Sequence, residues 1–273
     1  MPSTKFLFWN IAKKPLAGVV ASLAEEHFAD VVIVVECAIS PADILIALNS
    51  EDGEFHLSAG LSKGITAFTR FSREFFRPVF KSTSERTMNG RLLLPERSEI
   101  LLSVVHLPSK LHLNENDQSY ECGKLAREIA RREDQFGHRR TIVVGDFNMN
   151  PFEPGIVAAG GLHAVMSRQV ADRESRTVQG RDYRFFYNPM WSHFGDADRK
   201  TAGSCYYARS GHVSYFWNVF DQVLIRPELA RQFDPASLKI LTSFKGQALV
   251  RDDGRPDSTQ YSDHLPIVFE LTF

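Results

Sequence analysis

Acidic and amide side chains follow several apolar runs of the sequence, at the points where the runs end. The positions are Asn10 after Phe6–Trp9, Glu36 after Val31–Val35, Asp146 and Asn148 after Thr141–Val144, and Asp263 with His264 just before Ile267–Phe273. A carboxylate at the end of a buried strand is costly unless it is paired or bound to a metal. Oxygens of glutamate, aspartate and asparagine form a hard ligand set that suits Mg²⁺ or Mn²⁺ better than zinc. The pattern therefore indicates a divalent-metal site.

Each of these residues also has a purely structural interpretation when it is taken alone. Asn10 could form a turn, Asp146 could cap a helix that begins near Pro151, and Glu36 could simply end a strand. For His264 the structural alternative is a surface position, although the acidic neighbour favours a functional one. Six further histidines lack such a neighbour and are expected to be structural or exposed: His27, His56, His112, His138, His163 and His212.

The elements that must position these side chains are short strands interspersed with helices. Seven runs rich in β-branched and aromatic residues are bounded by Gly, Pro, Asn or Asp, which predicts strands: Phe6–Ile11, Val31–Val35, Ile65–Phe71, Ile100–Val105, Thr141–Val144, Phe220–Ile225 and Ile267–Phe273. Apolar residues on one helical face predict a helix over residues 16–28. Ser40 and Pro41 predict the start of a second helix, and Gly137 marks the end of a third over residues 117–136.

The composition is that of an ordinary globular protein, with 43% hydrophobic and 24% charged residues among 273. Because no repeat or linker interrupts the chain, we predict one α/β (α+β) domain over residues 1–273. A net charge of -1 provides no global attraction for nucleic acid, although a local basic groove stays compatible with it. Three widely spaced cysteines suggest neither disulfides nor zinc, so a cytoplasmic location is expected. No apolar run approaches the roughly 20 residues of a membrane span.

The order of the polar segments resembles that of the endonuclease/exonuclease/phosphatase superfamily. The matching segments are Trp9-Asn10, Glu36, Ser103-Val104-Val105-His106, Gly145-Asp146-Phe147-Asn148, Phe220-Asp221-Gln222-Val223-Leu224 and Ser262-Asp263-His264. The Gly-Asp-Phe-Asn and Ser-Asp-His segments are the most specific, and the resemblance extends from residue 5 to residue 273. It implies a four-layer αββα sandwich with two mixed β-sheets, whose strand ends gather at one rim. It also implies an enzyme, a phosphoric ester hydrolase that depends on Mg²⁺ or Mn²⁺.

The resemblance further implies a metal-binding group. Glu36 would be the principal ligand, and Asn10 and Asp263 would lie close to the metal. Nucleases of the superfamily often carry an acidic residue two places after this asparagine, whereas here Ala12 occupies that place and Lys13 follows. A second metal at this corner is therefore doubtful.

The catalytic residues that the resemblance implies are two histidines and three polar partners. Asp146 and Asn148 would position or activate the attacking water and contact the phosphate. His264 would bind the scissile phosphate or act as a base, with its tautomer held by Asp221. His106 would stabilise the pentavalent phosphorane or help to protonate the leaving oxygen. An imidazole beside a carboxylate has a raised pKa and a fixed orientation, which agrees with these roles.

Two further residues are predicted to contact the substrate. Asn150 follows the Gly-Asp-Phe-Asn segment closely, and an arginine at position 91 could face a phosphate. An exposed arginine without a ligand is an equally good interpretation of Arg91. Oligomeric state cannot be inferred from any of these patterns.

The sequence says less about which phosphate ester is cleaved. Motifs that mark inositol phosphatases, secreted sphingomyelinases and abasic-site endonucleases do not match, so a nuclease that acts on DNA or RNA is favoured by exclusion. The alternatives are a phosphatase or phosphodiesterase that acts on a small-molecule or lipid phosphate, and a catalytically inactive binding module. Whether cleavage would be endonucleolytic or exonucleolytic is left open by the sequence.

Residues 166–219 add support for a nucleic-acid partner. Basic and aromatic side chains are interleaved there, which suits phosphate contacts and base stacking on single strands. The basic ones are Arg168, Arg173, Arg176, Arg181, Arg184, Arg199, Lys200 and Arg209, and the aromatic ones are Tyr183, Phe185, Phe186, Tyr187, Trp191, Tyr206 and Tyr207. The alternative is that the aromatic residues belong to the core of a sheet. Their position relative to Glu36 distinguishes the two interpretations.

Overall fold

The structure, a computed structural model, describes residues 3–50, 53–58, 64–79, 86–94, 98–196, 201–208, 210 and 212–273. Its strands are β1 (Ser3–Asn10), β2 (Val31–Val35), β3 (His56–Leu57), β4 (Ile65–Thr69), β5 (Phe76–Pro78), β6 (Thr87–Leu92), β7 (Ile100–His106), β8 (Thr141–Asp146), β9 (Ala164–Val165), β10 (Ser175–Val178), β11 (Arg181–Arg184), β12 (Phe186–Tyr187), β13 (Cys205–Tyr207), β14 (Phe216–Asn218), β15 (Asp221–Ile225), β16 (Lys239–Ile240), β17 (Ser243–Phe244), β18 (Gln247–Ala248) and β19 (Ile267–Thr272).

The α-helices are α1 (Ala17–Glu26), α2 (Pro41–Leu48), α3 (Glu115–Phe136), α4 (Pro154–Val157), α5 (Arg168–Ala171) and α6 (Pro227–Ala230), and short 3₁₀ helices cover Arg73–Phe75, Pro189–His193 and Pro235–Ser237. The three helices predicted from the sequence are confirmed as α1, α2 and α3. Ser40 caps α2 as predicted, since its hydroxyl oxygen accepts a hydrogen bond from the backbone N–H of Ala42 at 3.2 Å. The end of α3 at Gly137 is also confirmed, with the glycine in the left-handed conformation that favours this residue.

Two mixed sheets carry the fold. The first has the strand order β16-β19-β1-β2-β4-β3, and the second has the order β5-β6-β7-β8-β15-β12-β9. In the first sheet β1 is parallel to β2 and antiparallel to β19. In the second sheet β8 is parallel to β7 and antiparallel to β15. Mixed sheets of this kind agree with the prediction from the sequence.

The sheets pack face to face between two layers of helix. One buried cluster joins alternate residues of both sheets, such as Phe8 and Ile33 with Val104 and Val144. A second cluster packs the outer face of the first sheet on α1 and α2, and a third packs the outer face of the second sheet on α3. Burial on both faces explains why the strands read as continuous apolar runs. The predicted four-layer αββα sandwich is confirmed. No helix in the described part of the chain is long and apolar enough to cross a membrane.

Gly145 lies on β8 immediately before Asp146, where no side chain fits. A Cβ atom there would lie 1.9 Å from the carbonyl oxygen of Val105 on β7. Gly145→Ala is therefore expected to lower the free energy of unfolding by about 1–3 kcal/mol, because the backbone must move. Urea-induced unfolding measures this change. Gly18→Ala is the control, since a Cβ in α1 meets nothing within 4 Å and alanine favours a helix. Equal stability of the two variants would contradict the interpretation.

Candidate active site

Neighbouring strands of the second sheet bring three of the predicted catalytic residues into one row. His106 at the end of β7 is in register with Asp146 at the end of the parallel strand β8. Asp146 is in turn opposite Asp221, which begins the antiparallel strand β15. The row therefore follows directly from strand pairing, although about 115 residues of chain separate His106 from Asp221.

The first sheet supplies the opposite side of the site. Asn10 is in register with Val35, so the parallel pairing of β1 and β2 places Glu36 beside the end of β1. Oε1 of Glu36 lies 3.3 Å from Nε2 of His106, across the gap between the sheets. A hydrogen bond with His106 and electrostatic attraction to that residue lower the pKa of Glu36 to about 2, although burial opposes the shift. Glu36 is therefore a carboxylate over the whole physiological pH range.

Asn10 holds the two sheets in this arrangement. Its Nδ2 donates a hydrogen bond to Oδ2 of Asp146 at 2.9 Å, and its Oδ1 accepts one from the backbone N–H of Ala12 at 3.0 Å. Because the amide oxygen already binds a backbone donor, Asn10 acts here as a group that orients Asp146. Its role as a direct metal ligand remains a prediction.

His264 and Asp221 form a buried pair. Nδ1 of His264 and Oδ2 of Asp221 are 2.8 Å apart, and the two residues are 8% and 0% exposed. Burial has the largest single influence and lowers the pKa of His264, but the neighbouring groups, led by the carboxylate of Asp221, together outweigh it and hold the pKa well above 6.5. Burial also raises the pKa of Asp221, so the pair as a whole retains one proton tightly. The resulting imidazolium directs Nε2 toward Asp146, whose Oδ2 is 3.9 Å away.

The backbone around His264 is fixed by the end of β1. Nε1 of Trp9 donates a hydrogen bond to the carbonyl oxygen of His264 at 2.8 Å. The hydroxyl of Ser262 donates to the carbonyl oxygen of Asn10 at 2.6 Å and accepts from the backbone N–H of His264 at 3.1 Å. These contacts give Trp9 and Ser262 a physical role, because they hold the imidazole opposite Asp146.

Asn148 and Asp263 also lie at this site, Asn148 through hydrogen bonds and Asp263 as an exposed residue of the cavity. The backbone N–H of Asn148 donates to Oδ1 of Asp146 at 2.8 Å, and its Nδ2 donates to the carbonyl oxygen of Leu107 at 2.9 Å. Asp263 is exposed, and its side chain lines the same cavity as Glu36 and Asp146. All of the metal-binding and catalytic residues predicted from the sequence are thus brought together. Their individual roles stay predictions.

Asn150 and Arg91, which were predicted to contact the substrate, require correction. Asn150 is fully buried, and its side chain bonds to the amide oxygen of Asn218 and the backbone N–H of Val219, both at 2.9 Å. It therefore holds two loops together beneath the site. Arg91 pairs with Leu101 near the start of β7, whereas the site lies at the other end of that strand. Its guanidinium is bound to Glu99 at 2.6 and 2.7 Å, so it faces no phosphate there.

A cavity of about 1000 Å³ opens over these residues. Its volume is at the upper end of the range for pockets that bind small molecules. Apolar side chains form two of its walls, one from the loop after β7 and one from the β13–β14 hairpin with Phe152: Leu111, Leu113, Phe152, Tyr207, Val213 and Tyr215. Cationic groups line it as well, namely Lys13, Arg86, Lys110 and, if protonated, His112.

Sequence reasoning missed most of these lining residues. His112 is exposed, as expected, and it also lines the cavity. Their place in the sequence could have indicated this role, since residues 107–114 directly follow the strand that ends at His106. Phe152 is held by three aromatic neighbours, Trp191, Phe194 and Tyr215, at ring-centroid distances of 5.2–6.3 Å. This cluster connects Phe152 to the aromatic residues around it.

Three arginines of the region 166–219 contact other parts of the described structure and do not line the cavity: Arg168, Arg176 and Arg184. Arg184 is 3.5 Å from Asp134 near the end of α3, whereas the first residue of that helix, Glu115, lines the cavity. At 1.5 Å per residue, about 28.5 Å of helix separates Glu115 from Asp134. Arg176 donates to Nε2 of His163, and Arg168 donates to the carbonyl oxygen of Phe233. The predicted basic groove at these positions is therefore wrong. Arg199, Lys200 and Arg209 lie outside the described residues.

The aromatic residues of the same region divide between core and site. Phe185, Phe186 and Tyr187 belong to the buried clusters, as the structural alternative predicted. By contrast, Tyr207 lines the cavity. Support for a nucleic-acid partner therefore comes from the β13–β14 hairpin rather than from the β10–β11 hairpin.

The donor set fits a hard divalent cation. Carboxylates of Glu36, Asp146 and Asp263 line one cavity, and such oxygens suit Mg²⁺ or Mn²⁺. Among the described residues, ligand atoms of Asp146, Asp221 and His264 also lie within 4.8 Å of one another. Since His264 and Asp221 already bond to each other, the side of Asp146 that faces Glu36 is the better place for a cation.

Comparison with known proteins supports the fold. Neither a family model nor a curated protein matches the chain, but solved structures do. An endonuclease/exonuclease/phosphatase family protein from Bacteroides thetaiotaomicron aligns over 99% of this chain and 98% of its own, with a TM-score of 0.60 and 14% identity. An AP endonuclease from Archaeoglobus fulgidus aligns over 97% and 98%, with a TM-score of 0.55 and 14% identity.

A third similar structure is D. rerio TDP2 complexed with single strand DNA product, with 100% of both chains covered, a TM-score of 0.54 and 16% identity. The matched structures thus define the class to which this two-sheet architecture conforms. The chain has the fold of the endonuclease/exonuclease/phosphatase superfamily, and the resemblance noted in its sequence is confirmed at the level of the fold.

Proposed function

We propose that the protein is a divalent-metal-dependent phosphodiesterase that cleaves DNA or RNA. The observation that carries the proposal is the convergence of two imidazoles on one buried carboxylate. Nε2 of His106 and Nε2 of His264 each lie 3.9 Å from Oδ2 of Asp146, and Glu36 stands beside His106. This set provides an acceptor for a proton, two donors and a metal-binding carboxylate within a single cavity.

Each residue's proposed role follows from the negative charge that develops on the phosphate oxygens during hydrolysis. When Mg²⁺ or Mn²⁺ is bound by Glu36, with Asp263 and Asn10 close by, it offsets negative charge on the phosphate oxygens. Asp146, oriented by Asn10 and by the backbone of Asn148, accepts the proton of the attacking water. The imidazolium of His264 stabilises a non-bridging oxygen, and Asp221 keeps it protonated and oriented.

His106 completes the proton balance. It lies on the Glu36 side of Asp146, opposite His264. In this position it stabilises the phosphorane and donates a proton to the leaving oxygen. Asp146 therefore takes one proton from water while His106 returns one to the leaving group, as hydrolysis of a phosphodiester requires.

Nucleic acid as the substrate is supported by the cavity walls. Aromatic side chains offer faces for unpaired bases, and the nearby cations suit a phosphate backbone. The solved structures of similar fold include an AP endonuclease and a TDP2 with a single strand DNA product. The complete set of acidic and histidine residues argues against an inactive binding module, since such a module has no need to keep it.

Hydrolysis by the purified protein tests the proposal. We expect cleavage of single-stranded DNA or RNA with Mg²⁺ or Mn²⁺ and none with EDTA, because the phosphate charge is then not offset. Fluorescently labelled oligonucleotides, duplex DNA and bis(p-nitrophenyl) phosphate are the substrates to compare. Hydrolysis confined to the chromogenic diester, or to phosphomonoesters, would replace the nuclease by a small-molecule phosphodiesterase or phosphatase. No hydrolysis of any substrate would indicate the binding module.

A further inference from the structure

A strained turn follows Asn10 at the edge of the site. Ala12 and Lys13 both have left-handed backbone conformations, with φ of 48° and 60°, and Glu36 opposite them has φ of 49°. Such conformations cost about 1 kcal/mol or more for each residue other than glycine, and they persist only where the surroundings enforce them. Here the N–H of Ala12 bonds to Oδ1 of Asn10, and the N–H of Lys13 bonds to the carbonyl oxygen of Glu36 at 2.8 Å.

The turn separates the side chains of two consecutive lysines. Nζ of Lys14 donates to the carbonyl oxygens of Ser258 and Thr259, at 2.8 and 3.2 Å, which ties the turn to a neighbouring loop. Lys13 instead lines the catalytic cavity and is exposed. Within the described parts of the chain, no ion pair or hydrogen bond engages its ammonium group. The strained backbone therefore presents one uncommitted cation to the cavity.

Other features of the cavity make this cation distinctive. Lys110 is bound to Glu153 at 2.5 Å, so its charge is already compensated. Glu36, Asp146 and Asp263 contribute negative charge, and a nucleic acid strand adds one more charge for each phosphate. An uncompensated cation in this cavity offsets the repulsion that a strand would meet.

Burial indicates which phosphate Lys13 could reach. Asp146, between the two imidazoles, is 1% exposed, and Glu36 has a side chain 30% exposed. Lys13 is exposed and lines the same cavity, and its backbone N–H bonds to the carbonyl oxygen of Glu36, so it stands at the rim beside Glu36. The scissile phosphate must lie at the floor beside Asp146. A cation at the rim is suited to the next phosphate along the strand.

We propose that Lys13 is a specificity-determining residue that binds the phosphate adjacent to the scissile one in a nucleic acid strand. The proposal rests on the proposed function, since it takes the site beside Asp146 as the place of cleavage. Lys13 would then favour a polynucleotide, which has a second phosphate to bind, over a substrate that has a single phosphodiester.

Binding without turnover tests the proposal independently of catalysis. The affinity of the protein for a fluorescein-labelled single-stranded 12-mer is measured by anisotropy in EDTA, for wild type, Lys13→Gln, Lys13→Arg and the control Lys124→Gln. Lys124 also loses one positive charge on substitution, but it lies on α3, bound to Glu121 and away from the cavity. We expect Lys13→Gln to raise Kd about threefold to tenfold and to reduce the salt slope by about 0.7, as the loss of one phosphate contact requires.

Three comparisons decide the outcome. Lys13→Arg should bind like wild type, and turnover of bis(p-nitrophenyl) phosphate by Lys13→Gln should stay within about twofold of wild type, since this diester has no second phosphate. An unchanged Kd in Lys13→Gln, an equal loss in Lys124→Gln, or equal losses on both substrates would overturn the proposal. If wild type binds the strand but never cleaves it, the nuclease proposal fails, while the difference in Kd still decides the role of Lys13.

Discussion

Replacing His264 with alanine is expected to lower kcat/KM for phosphodiester hydrolysis by about 10³- to 10⁴-fold, because a charged, pre-oriented donor is removed from the phosphate. The loss should fall mainly on kcat, since the imidazolium acts where negative charge builds in the transition state. Steady-state kinetics on a labelled oligonucleotide measures it. His56→Ala removes an exposed histidine that does not line the cavity and should retain wild-type turnover.

The same substitution tests folding separately from chemistry. His264→Ala leaves the buried carboxylate of Asp221 without its partner, which costs about 3–5 kcal/mol when a buried pair is broken. The double variant Asp221→Asn with His264→Gln removes both charges and should regain much of this stability. It should nevertheless stay as inactive as the single variant. A double variant with appreciable turnover would exclude His264 from the chemistry.

Because the pKa of His264 is raised, the stability difference between wild type and the double variant should depend on pH. The unfolded chain binds the proton with a pKa near 6.5, and the folded protein binds it more tightly. The stability from this proton is therefore complete below pH 6.5 and is lost as the pH rises through the folded pKa. In EDTA, the difference in Tm between wild type and the double variant should shrink from pH 6 upward. A difference that grows with pH would contradict the assignment.

Replacing Glu36 with glutamine is expected to lower kcat/KM by about 10³-fold or more, because it removes the carboxylate that would hold the metal. The glutamine side chain has nearly the same shape as that of glutamate, so the fold should be retained. Metal binding gives a second readout, since titration of Mn²⁺ followed by electron paramagnetic resonance should show a large loss of affinity. Glu36→Ala should have a similar effect.

The control for this variant is Glu54→Gln. Glu54 is exposed and does not line the cavity, so its replacement removes the same charge without touching the site. Partial recovery of Glu36→Gln at high Mg²⁺ concentration would agree with a ligand role. Wild-type turnover and wild-type Mn²⁺ affinity in Glu36→Gln would exclude Glu36 from the metal site and refute the proposed mechanism.

Some residues of the candidate site could be predicted from the sequence, and others could not. Glu36, Asp146 and His264 were found because each directly adjoins an apolar strand, and this local pattern survives folding. Arg91 was misplaced because its neighbours in sequence do not reveal the end of the sheet at which it lies. Strand register decides that question, and it depends on pairing with β7.

The nucleic-acid interface was the least predictable part. Composition alone treated residues 166–219 as one basic and aromatic surface. In the structure Arg184 contacts the distal end of α3, whereas Tyr207 and Tyr215 line the cavity. The two hairpins thus lie in different places, because Arg184 of β11 contacts the far end of α3, whereas Cys205 of β13 pairs with His264 in the site.

The sequence by itself determined the alternation of strands and helices and the polar residues at the strand ends, since both depend on local periodicity and on short segments. The two-sheet class came from the resemblance of those short segments to a known superfamily. Tertiary structure alone decided which of those polar groups touch. The His106–Asp146–Asp221 row, the burial of Asn150 and the exposure of Lys13 arise from strand register and from backbone conformations enforced by distant hydrogen bonds. Contacts between residues far apart in the chain depend on how whole elements pack, and no short segment contains that information.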